Sequence, residues 1–269
     1  MPPIVLVTGA SSGIGNACAE VLKGRGHRVY AASRSLSPTD VPYPQLTLDV
    51  NDDASVNEAV RAIAEREGRI DVLVNCAGNG IAGSVEDTSI DEARWQFETN
   101  FFGTLRMCRA VLPIMRAQKS GRIVNVSSLA GLLAIPYQAL YSASKFAVEG
   151  LTEALRMEVA QFGVRVVLIE PGNFRTRFTA SRRWATAATN PDGPYYTRAH
   201  RAVALMEHEE QAGPPPSDVA RLVCKVIATP RPKLRYRVGA LSERMAVPAK
   251  QLLPYALYER ALLSHYKLD

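Results

Sequence analysis

Cysteine is scarce in this sequence and follows no recurring spacing. The four cysteines, Cys18, Cys76, Cys108 and Cys224, lie far apart and form no C-x-x-C pair. Zinc sites and disulfide frameworks need closely spaced or regularly paired cysteines, so the sequence predicts neither, and it predicts no metal site. Isolated thiols are typical of a reducing compartment, which predicts a cytoplasmic protein.

Long apolar runs are missing as well. No stretch approaches the ~18 uninterrupted apolar residues that a membrane-spanning helix requires. Only three residues precede the first apolar run, Ile4 to Val7, and they carry no basic side chain. A secretion signal needs a basic segment followed by a longer apolar one. We therefore expect neither a spanning helix nor a secretion signal.

Charge of one sign is not concentrated anywhere in the chain. The sequence has 32 Lys and Arg against 26 Asp and Glu, a net charge of +6, but the basic residues are scattered. Nucleic-acid binders usually gather them into a patch, so we expect no nucleic-acid partner. The 269 residues are 47% hydrophobic, which excludes disorder of the whole chain. Because no linker or repeat interrupts the pattern, we expect one domain over residues 1–269.

Short apolar runs alternate with longer helical patterns through the first 170 residues. The apolar runs predict seven strands, at residues 4–8, 28–32, 45–48, 72–75, 122–127, 165–170 and 234–238. The helical patterns lie at residues 13–23, 54–67, 90–117, 141–161 and 218–229. Strands that are apolar on both faces and joined by helices belong to a buried parallel sheet. The sequence therefore predicts an α/β, doubly wound fold.

The alternation ends after Pro171. Residues 174–216, called the lid segment below, show only weak helical periodicity and are expected to cover a substrate pocket. Ser217 is the expected N-cap of the helix at 218–229. Residues 240–269 are expected to form a C-terminal tail of one or two amphipathic helices. A single apolar stripe usually faces a protein core, so we expect this tail to pack on the body or on a second subunit.

A glycine-rich turn follows the first strand directly. It reads Thr8-Gly9-Ala10-Ser11-Ser12-Gly13-Ile14-Gly15 and leads into a helical pattern. Without side chains, the glycines allow a tight reversal and let backbone N–H groups approach a pyrophosphate at the positive end of the helix. The turn predicts a dinucleotide-binding loop.

The loop resembles that of the short-chain dehydrogenase/reductase family, and its glycine spacing of G-x-x-x-G-x-G matches. Asp49-Val50, Asn75-Cys76-Ala77-Gly78 and Pro171-Gly172-Asn173-Phe174-Arg175-Thr176 match further family motifs, except that Cys76 and Phe174 replace the commoner residues. The resemblance implies a Rossmann-type seven-stranded sheet flanked by helices and a nicotinamide cofactor. The cofactor-binding residues that it implies are Gly9, Ser11, Ser12, Gly13, Ile14, Gly15, Ser33, Arg34, Asp49, Val50, Asn75, Ala77, Gly78, Tyr141, Lys145, Pro171, Gly172, Phe174 and Thr176.

The residues after the second strand predict which cofactor is preferred. An acidic residue there would bind the 2′-hydroxyl of the adenosine ribose. The sequence instead has Ser33-Arg34-Ser35, and its first following carboxylate is Asp40. An arginine guanidinium pairs well with a 2′-phosphate, so we expect NADP(H).

A Tyr-x-x-x-Lys pattern carries the predicted chemistry. Tyr141 and Lys145 lie four residues apart on a predicted helix, so both point along one face. A unit charge ~4 Å away would move the tyrosine pKa from near 10 toward about 7, as a general acid requires. The family resemblance adds Ser128, thirteen residues before the tyrosine, and Asn100. It implies that Tyr141 protonates the substrate oxygen, Ser128 binds the same oxygen, Lys145 holds the ribose, and Asn100 binds a water beside the lysine.

The remaining residues predict the substrate only by class. Those expected to face it are mostly apolar and comprise Gly80, Ile81, Leu129, Leu133, Ile135, Tyr137 and parts of 174–206. Such a pocket favours a lipophilic ketone or aldehyde, and the layout resembles the hydroxysteroid- and retinol-dehydrogenase-like branch. Two alternatives stay open: a 3-oxoacyl carrier-protein reductase, and a non-catalytic protein that senses NADP(H). By analogy with the family, we expect a homodimer or homotetramer.

Overall fold

A parallel sheet forms the centre of the molecule. The computed structural model describes residues 1–35 and 41–269. Its strands in chain order are β1 (Ile4–Thr8), β2 (Arg28–Ser33), β3 (Gln45–Thr47), β4 (Val72–Asn75), β5 (Ile81–Ala82), β6 (Gly121–Val126), β7 (Val164–Pro171), β8 (Arg183–Trp184) and β9 (Arg235–Val238). Its helices are α1 (Gly13–Gly24), α2 (Asp53–Glu67), α3 (Ile90–Phe97), α4 (Thr104–Gln118), α5 (Ala139–Val159), α6 (Phe178–Ser181), α7 (Tyr196–Ala212), α8 (Ser217–Ala228), α9 (Leu241–Leu252) and α10 (Tyr255–His265).

Seven of these strands pair in the order β3-β2-β1-β4-β6-β7-β9, and all the pairs are parallel. The predicted seven-stranded, Rossmann-type, doubly wound fold is thus confirmed. From β1 the chain first builds outward through β2 and β3, and then returns to the other side of β1 with β4. Ligands bind where the strand order reverses, beyond the carboxyl ends of the strands. This reversal places the β1 and β4 loops side by side.

Alternation along β1 divides the core between the two faces of the sheet. Ile4 and Leu6 pack with α2, α4 and α5 on one face, whereas Val5 and Val7 pack with α1 and α8 on the other. Successive side chains of a strand point to opposite faces, so a strand buried on both sides must be apolar throughout. This accounts for the unbroken run Ile4-Val5-Leu6-Val7.

The helix predicted at residues 90–117 is not uniform. It consists of α3 and α4 joined by a π-helical turn at Glu98–Gly103. At the end of this turn Gly103 packs on Val50, whose Cγ2 atom lies 2.7 Å from the position of an added Cβ. Single π-helical turns within helices often mark functional sites. Here the turn carries Asn100.

The lid segment contains a long helix, and the N-cap expected at its boundary is wrong. Although the segment has weak periodicity, it contains the 17-residue helix α7, which buries Ala199, Ala202, Val203 and Met206. Tertiary packing stabilises this helix, and its sequence alone gives little sign of it. Ser217 is the first residue of α8 and not its N-cap, which is Pro216. Proline suits a helix start because its backbone angle is already helical.

The C-terminal tail forms two helices, α9 and α10, that pack on the body. Val247 and Tyr258 contact Leu129 and Leu133 in one apolar cluster. Farther along, Tyr266 and Leu268 pack with Met206 of α7 and with Ile135 and Tyr137. The tail therefore covers the residues that the sequence predicted to face the substrate. Among the described residues, no helix is both long and apolar enough to cross a membrane.

Candidate active site

The glycine-rich loop folds tightly against the end of β4. Thr8 Oγ1 accepts hydrogen bonds from the backbone N–H groups of Cys76 (3.1 Å) and Ala77 (3.2 Å). Gly9 has a positive φ of 65°, and a Cβ at this position would lie 2.8 Å from the nitrogen of Ala77. Only glycine fits this backbone and this approach. The two loops of the switch point are thus fixed to each other.

The first turn of α1 is suited to bind an anion. It contains no acidic residue, and Ser12 at the N-cap makes no side-chain capping bond among the described residues. Its backbone N–H groups are therefore available to an anion at the loop surface, where the positive end of the helix dipole also lies. Thr176 lies nearby, with its Cβ 3.4 Å from the position of an added Cβ on Gly13. A pyrophosphate at α1 and a carboxamide at Thr176 fit this arrangement.

Other predicted cofactor residues lie where a dinucleotide would extend. Arg34 is exposed directly after Ser33 ends β2, and Asp40 lies outside the described residues. At the end of β3, Asp49 accepts a hydrogen bond from the backbone N–H group of Asn51 (3.0 Å). Of the remaining predicted residues, Ser11 lies on the glycine-rich loop, Ile14 and Gly15 lie in the first turn of α1, and Gly78 lies on the loop after β4.

Two predicted cofactor residues have buried side chains that face elsewhere. Asn75 donates a hydrogen bond to Oδ1 of Asn125 (2.9 Å) inside the core. Phe174 is buried in the apolar cluster on the α1 and α8 face of the sheet. Only their backbone groups are therefore available to a cofactor. Gly172 N–H donates to the Val238 carbonyl (2.8 Å), which fixes the turn that follows Pro171.

The four predicted catalytic side chains lie close to the carboxyl ends of β4 and β6. Ser128 lies beside Tyr141, close enough for its hydroxyl to act on the pKa of the phenol. Lys145 donates from Nζ to the carbonyl of Val126 (3.0 Å) and lies 5.9 Å from the centroid of the Tyr141 ring. A Cβ added to Gly78 would be 3.8 Å from this Nζ and 3.3 Å from Asn100 Oδ1. Lysine and asparagine thus meet at the loop after β4.

The π-helical turn positions Asn100. Its Oδ1 accepts from the N–H group of Asn79 (2.9 Å), and its Nδ2 donates to the Asn79 carbonyl (3.1 Å) and to Ser144 Oγ (3.0 Å). Ser144 directly precedes Lys145 on α5. The asparagine therefore links the β4 loop to the helix that carries the tyrosine and the lysine.

The structure separates the two neighbouring serines. Ser128 faces Tyr141, whereas Ser127 is buried beside the carboxyl group of Glu149, and its Oγ has no hydrogen-bond partner among the described residues. Their side chains leave the end of β6 in different directions, as the alternation of a strand requires. Ser128 also accepts from the N–H group of Ala130 (3.1 Å), which orients its hydroxyl.

The expected lowering of the tyrosine pKa is wrong for this structure. Burial raises the pKa of Tyr141 to about 12; the hydrogen bond from Ser128 opposes this rise, and the charge of Glu210 adds to it. Burial also lowers the pKa of Lys145 to about 8. The ammonium donates to the Val126 carbonyl and not to the phenol, and desolvation of the phenol dominates its pKa.

A cluster of two buried carboxylates and two partly exposed arginines lies behind Ser127, and sequence reasoning missed it. Arg235 on β9 pairs with Glu149 on α5 (3.0 Å) and with Glu170 on β7 (3.4 Å), and Arg237 also pairs with Glu170 (3.3 Å). Glu170 is fully buried, and burial together with the nearby Glu149 raises its pKa to about 7. A carboxylate inside an apolar strand was the one available signal for this cluster.

A second group that sequence reasoning missed lies on the lid segment. The Phe178 ring packs on the Tyr141 ring, with centroids 5.3 Å apart, and on the guanidinium of Arg182 at 5.5 Å. The Arg182 side chain is 1% exposed and forms an ion pair with Glu210 on α7. No motif indicates these contacts, because they join parts of the chain that have no fixed spacing.

Comparison with known proteins defines the family. Residues 3–186 match the model of the family described as short chain dehydrogenase. The 3-ketodihydrosphingosine reductase of Bacteroides thetaiotaomicron is 42% identical over 99% of this chain and 99% of its own length. Retinol dehydrogenase 8 of Bos taurus is 38% identical over 88% of this chain and 82% of its own. The chain therefore belongs to the short-chain dehydrogenase family and is an oxidoreductase.

Solved structures agree on the fold and differ in the cofactor. A short-chain dehydrogenase from Streptomyces avermitilis matches with a TM-score of 0.83 and 32% identity over 99% of this chain and 97% of that one. A Burkholderia phymatum enzyme in complex with NAD has a TM-score of 0.79 and 27% identity, covering 97% and 95%. One from Burkholderia cenocepacia in complex with NADP has a TM-score of 0.75 and 27% identity, covering 96% and 97%. A nicotinamide dinucleotide therefore suits this fold.

Proposed function

We propose that this protein uses NADP(H) to interconvert a lipophilic ketone or aldehyde and its alcohol. The observation that carries the proposal is that the Ser128 hydroxyl faces the Tyr141 phenol beside Lys145. Two hydroxyl donors that converge in a buried site can bind one carbonyl oxygen. The cofactor, when bound, supplies the hydride for the carbonyl carbon.

In this mechanism each side chain has a separate task. Ser128 binds the carbonyl oxygen and stabilises the negative charge that develops on it. Tyr141 donates its phenolic proton to that oxygen, and its high pKa keeps the proton in place until the substrate accepts it. Lys145 would hold the ribose hydroxyls of the bound cofactor, and Asn100 fixes the loop and helix that position the lysine.

The neighbouring serines provide a matched test of this site. We expect Ser128→Ala to lower kcat by about 100-fold, a loss typical of an oxyanion-binding donor. Ser127→Ala removes the same atom from the buried side and should leave kcat within about threefold, since Ser127 does not face Tyr141. Oxidation of NADPH with a ketone measures both variants. Equal losses in the two variants would contradict the assignment.

The preference for NADP(H) rests on Arg34. Its guanidinium is exposed beyond the end of β2, where it is available to a 2′-phosphate. Arg34→Asp should weaken NADPH binding by about 100-fold and leave NADH binding unchanged or tighter. Arg25→Asp, at the exposed far end of α1, is the matched charge-reversal control. An unchanged ratio of the two dissociation constants in Arg34→Asp would remove this arginine from the site.

The lipophilic substrate class is supported by the apolar surroundings of the site. Leu129 directly follows Ser128 and packs with Leu133 and Tyr258 in a cluster that the tail closes. The names of two relatives, for 3-ketodihydrosphingosine and for retinol, agree with a lipophilic carbonyl or alcohol. A panel of ketones that differ in chain length tests this proposal, because kcat/KM should rise with apolar length.

We also propose that two copies pair through α4 and α5 in the cytoplasm. Phe146 is 41% exposed and Met157 is 71% exposed, and because they lie eleven residues, or about three turns, apart on α5, they share one face of the helix. Light scattering of the purified protein measures its mass, and Met157→Glu should shift a dimer or tetramer toward the monomer. A monomeric wild type would contradict the pairing.

A further inference from the structure

Phe178 occupies a defined position beside the proposed proton donor. It begins α6, two residues after Thr176, and its N–H group donates to Thr176 Oγ1 (3.1 Å). One side of the ring lies against Tyr141, at 5.3 Å between centroids and an interplanar angle of 52°. The ring therefore fills space next to the phenol that a bound carbonyl compound must approach.

Gly80 fits the tip of this ring. A Cβ at position 80 would lie 2.7 Å from Cζ of Phe178, closer than carbon atoms pack. The Gly80 carbonyl accepts from the N–H group of Arg183 (3.0 Å), next to the parallel pairing of β5 with β8. The backbone at Gly80 is therefore tied to the lid segment and cannot withdraw easily. The missing side chain at Gly80 leaves the space that the tip of the Phe178 ring occupies.

The lid segment holds the ring from its other side. The Arg182 guanidinium lies 5.5 Å from the Phe178 centroid, within the range of a cation–π contact. Arg182 forms ion pairs with Glu210 and, at 3.4 Å, with Glu207, both on α7. Thr179 Oγ1 donates to Glu210 Oε2 (2.5 Å) as well. Displacing the phenyl ring would therefore disturb buried charge pairs.

We propose that Phe178 determines specificity, by forming a wall beside Tyr141 that admits a ketone flanked by unbranched methylene groups and excludes one flanked by a quaternary or ring-fused carbon. A methylene chain can lie flat against an aromatic ring, whereas a branched carbon needs the space that the ring fills. The inference rests on the proposed function. It narrows the lipophilic substrate to a straight-chain ketone and away from fused-ring steroids.

The test compares two ketones across matched variants. The substrates are a straight-chain ketone and its counterpart with two methyl groups on the carbon beside the carbonyl. The wild type should favour the straight-chain ketone in kcat/KM by about 100-fold. Phe178→Ala should reduce this ratio by at least about tenfold, with Phe178→Leu intermediate, and the dissociation constant of NADPH should stay unchanged. Phe162→Ala removes the same atoms at the far end of α5 and should leave the ratio unchanged.

Gly80→Ala provides an independent test of the position of the Phe178 ring. Because the added Cβ must push the ring aside, we expect kcat/KM for the straight-chain ketone to fall by about tenfold. The double variant Gly80→Ala/Phe178→Ala should regain most of this loss, which a general disturbance of folding would not allow. Circular dichroism spectra and unfolding temperatures identify any variant that has not folded, and Phe178→Leu then replaces Phe178→Ala.

The outcomes distinguish failure of the inference about Phe178 from failure of the proposed function. Turnover by the wild type with a ratio that Phe178→Ala and Phe178→Leu leave unchanged would overturn this inference alone. A wild type that favours the branched ketone would also overturn it. A wild type that binds NADPH but reduces no ketone would overturn the proposed function, and this inference with it.

Discussion

The two sides of the candidate active site are built in different ways. On the cofactor side, short motifs place Gly9 after β1, Ser128 after β6, and Asn100 on the π-helical turn that contacts the loop after β4. On the lid side, Phe178, Arg182 and Glu210 meet through contacts between α6 and α7 that no motif announces. The cofactor side would carry out the chemistry that all reactions of the family have in common. The lid side would contact the part of the substrate that differs from one enzyme to another, so its residues follow no fixed motif.

The largest effect should come from a substitution at Gly9, where the glycine-rich loop packs tightly on the loop after β4. Gly9→Val puts a branched side chain at a φ of 65° and within 2.8 Å of the Ala77 nitrogen. We expect NADPH affinity to fall by more than about 100-fold, because the two loops must separate. Fluorescence titration with NADPH measures this change.

The control for this variant is Gly24→Ala at the end of α1, where an added Cβ meets nothing within 4 Å. Its NADPH affinity should equal that of the wild type. If Gly9→Val bound NADPH as tightly as this control, the loop would not be the cofactor site.

An intermediate effect should come from the lid side. Arg182→Met leaves Glu210 without its buried partner, and removing one member of a buried pair costs about 3 kcal/mol. Because the Phe178 ring also loses its support, KM for a ketone should rise by about tenfold while NADPH affinity stays unchanged. This split between KM and cofactor affinity would show that the two sides act separately.

Arg94→Met is the matched control for Arg182→Met. Arg94 pairs with Asp91 at 2.9 Å, but both side chains are largely exposed, so its loss should change stability by less than about 1 kcal/mol. If Arg182→Met raised both KM and the NADPH dissociation constant, the lid side would also affect cofactor binding. This result would contradict the separate action of the two sides.

The smallest effect on activity is expected from the charge cluster around Glu170, which instead sets how stability depends on pH. The pKa of Glu170 is raised to about 7 in the folded state, so the native protein retains a proton that the unfolded chain has released. The free energy of unfolding should therefore fall as pH rises from about 4.5 to about 7, by at most about 3 kcal/mol, and level off above. Glu170→Gln should flatten this slope in urea unfolding, and what remains should belong to Glu149, whose pKa burial also raises.

Glu65→Gln serves as the control for the pH experiment. Glu65 is exposed in an i,i+4 pair with Arg61, so its replacement should leave the slope of stability against pH unchanged. Identical slopes in the wild type and Glu170→Gln would mean that Glu170 does not retain its proton in the folded protein.

The sequence alone predicted those elements whose residue pattern is contained within a short stretch of the chain. All seven sheet strands appear where apolar runs indicated them, because strands buried on both faces tolerate little else. The spacing from Ser128 to Tyr141 and the alternation at Ser127 also matched the structure, since both follow from helix and strand geometry.

What the sequence could not predict depends on distant contacts. Helix α7 has a polar, weakly periodic sequence, and only packing against the tail and the 135–137 loop reveals its buried face. The π-helical turn around Asn100 leaves no mark in a hydrophobic pattern. The pKa of Tyr141 rises instead of falling because the largest influence on it is desolvation, which depends on the whole fold.

The most direct test of the central claim is the rate of NADPH oxidation by Tyr141→Phe with a straight-chain ketone. This variant keeps the ring that packs on Phe178 and removes only the hydroxyl that Ser128 contacts. The account predicts that NADPH affinity stays within about twofold of the wild type while kcat falls by at least about 1,000-fold. A variant that retained more than about a tenth of the wild-type kcat would contradict Tyr141 as the proton donor.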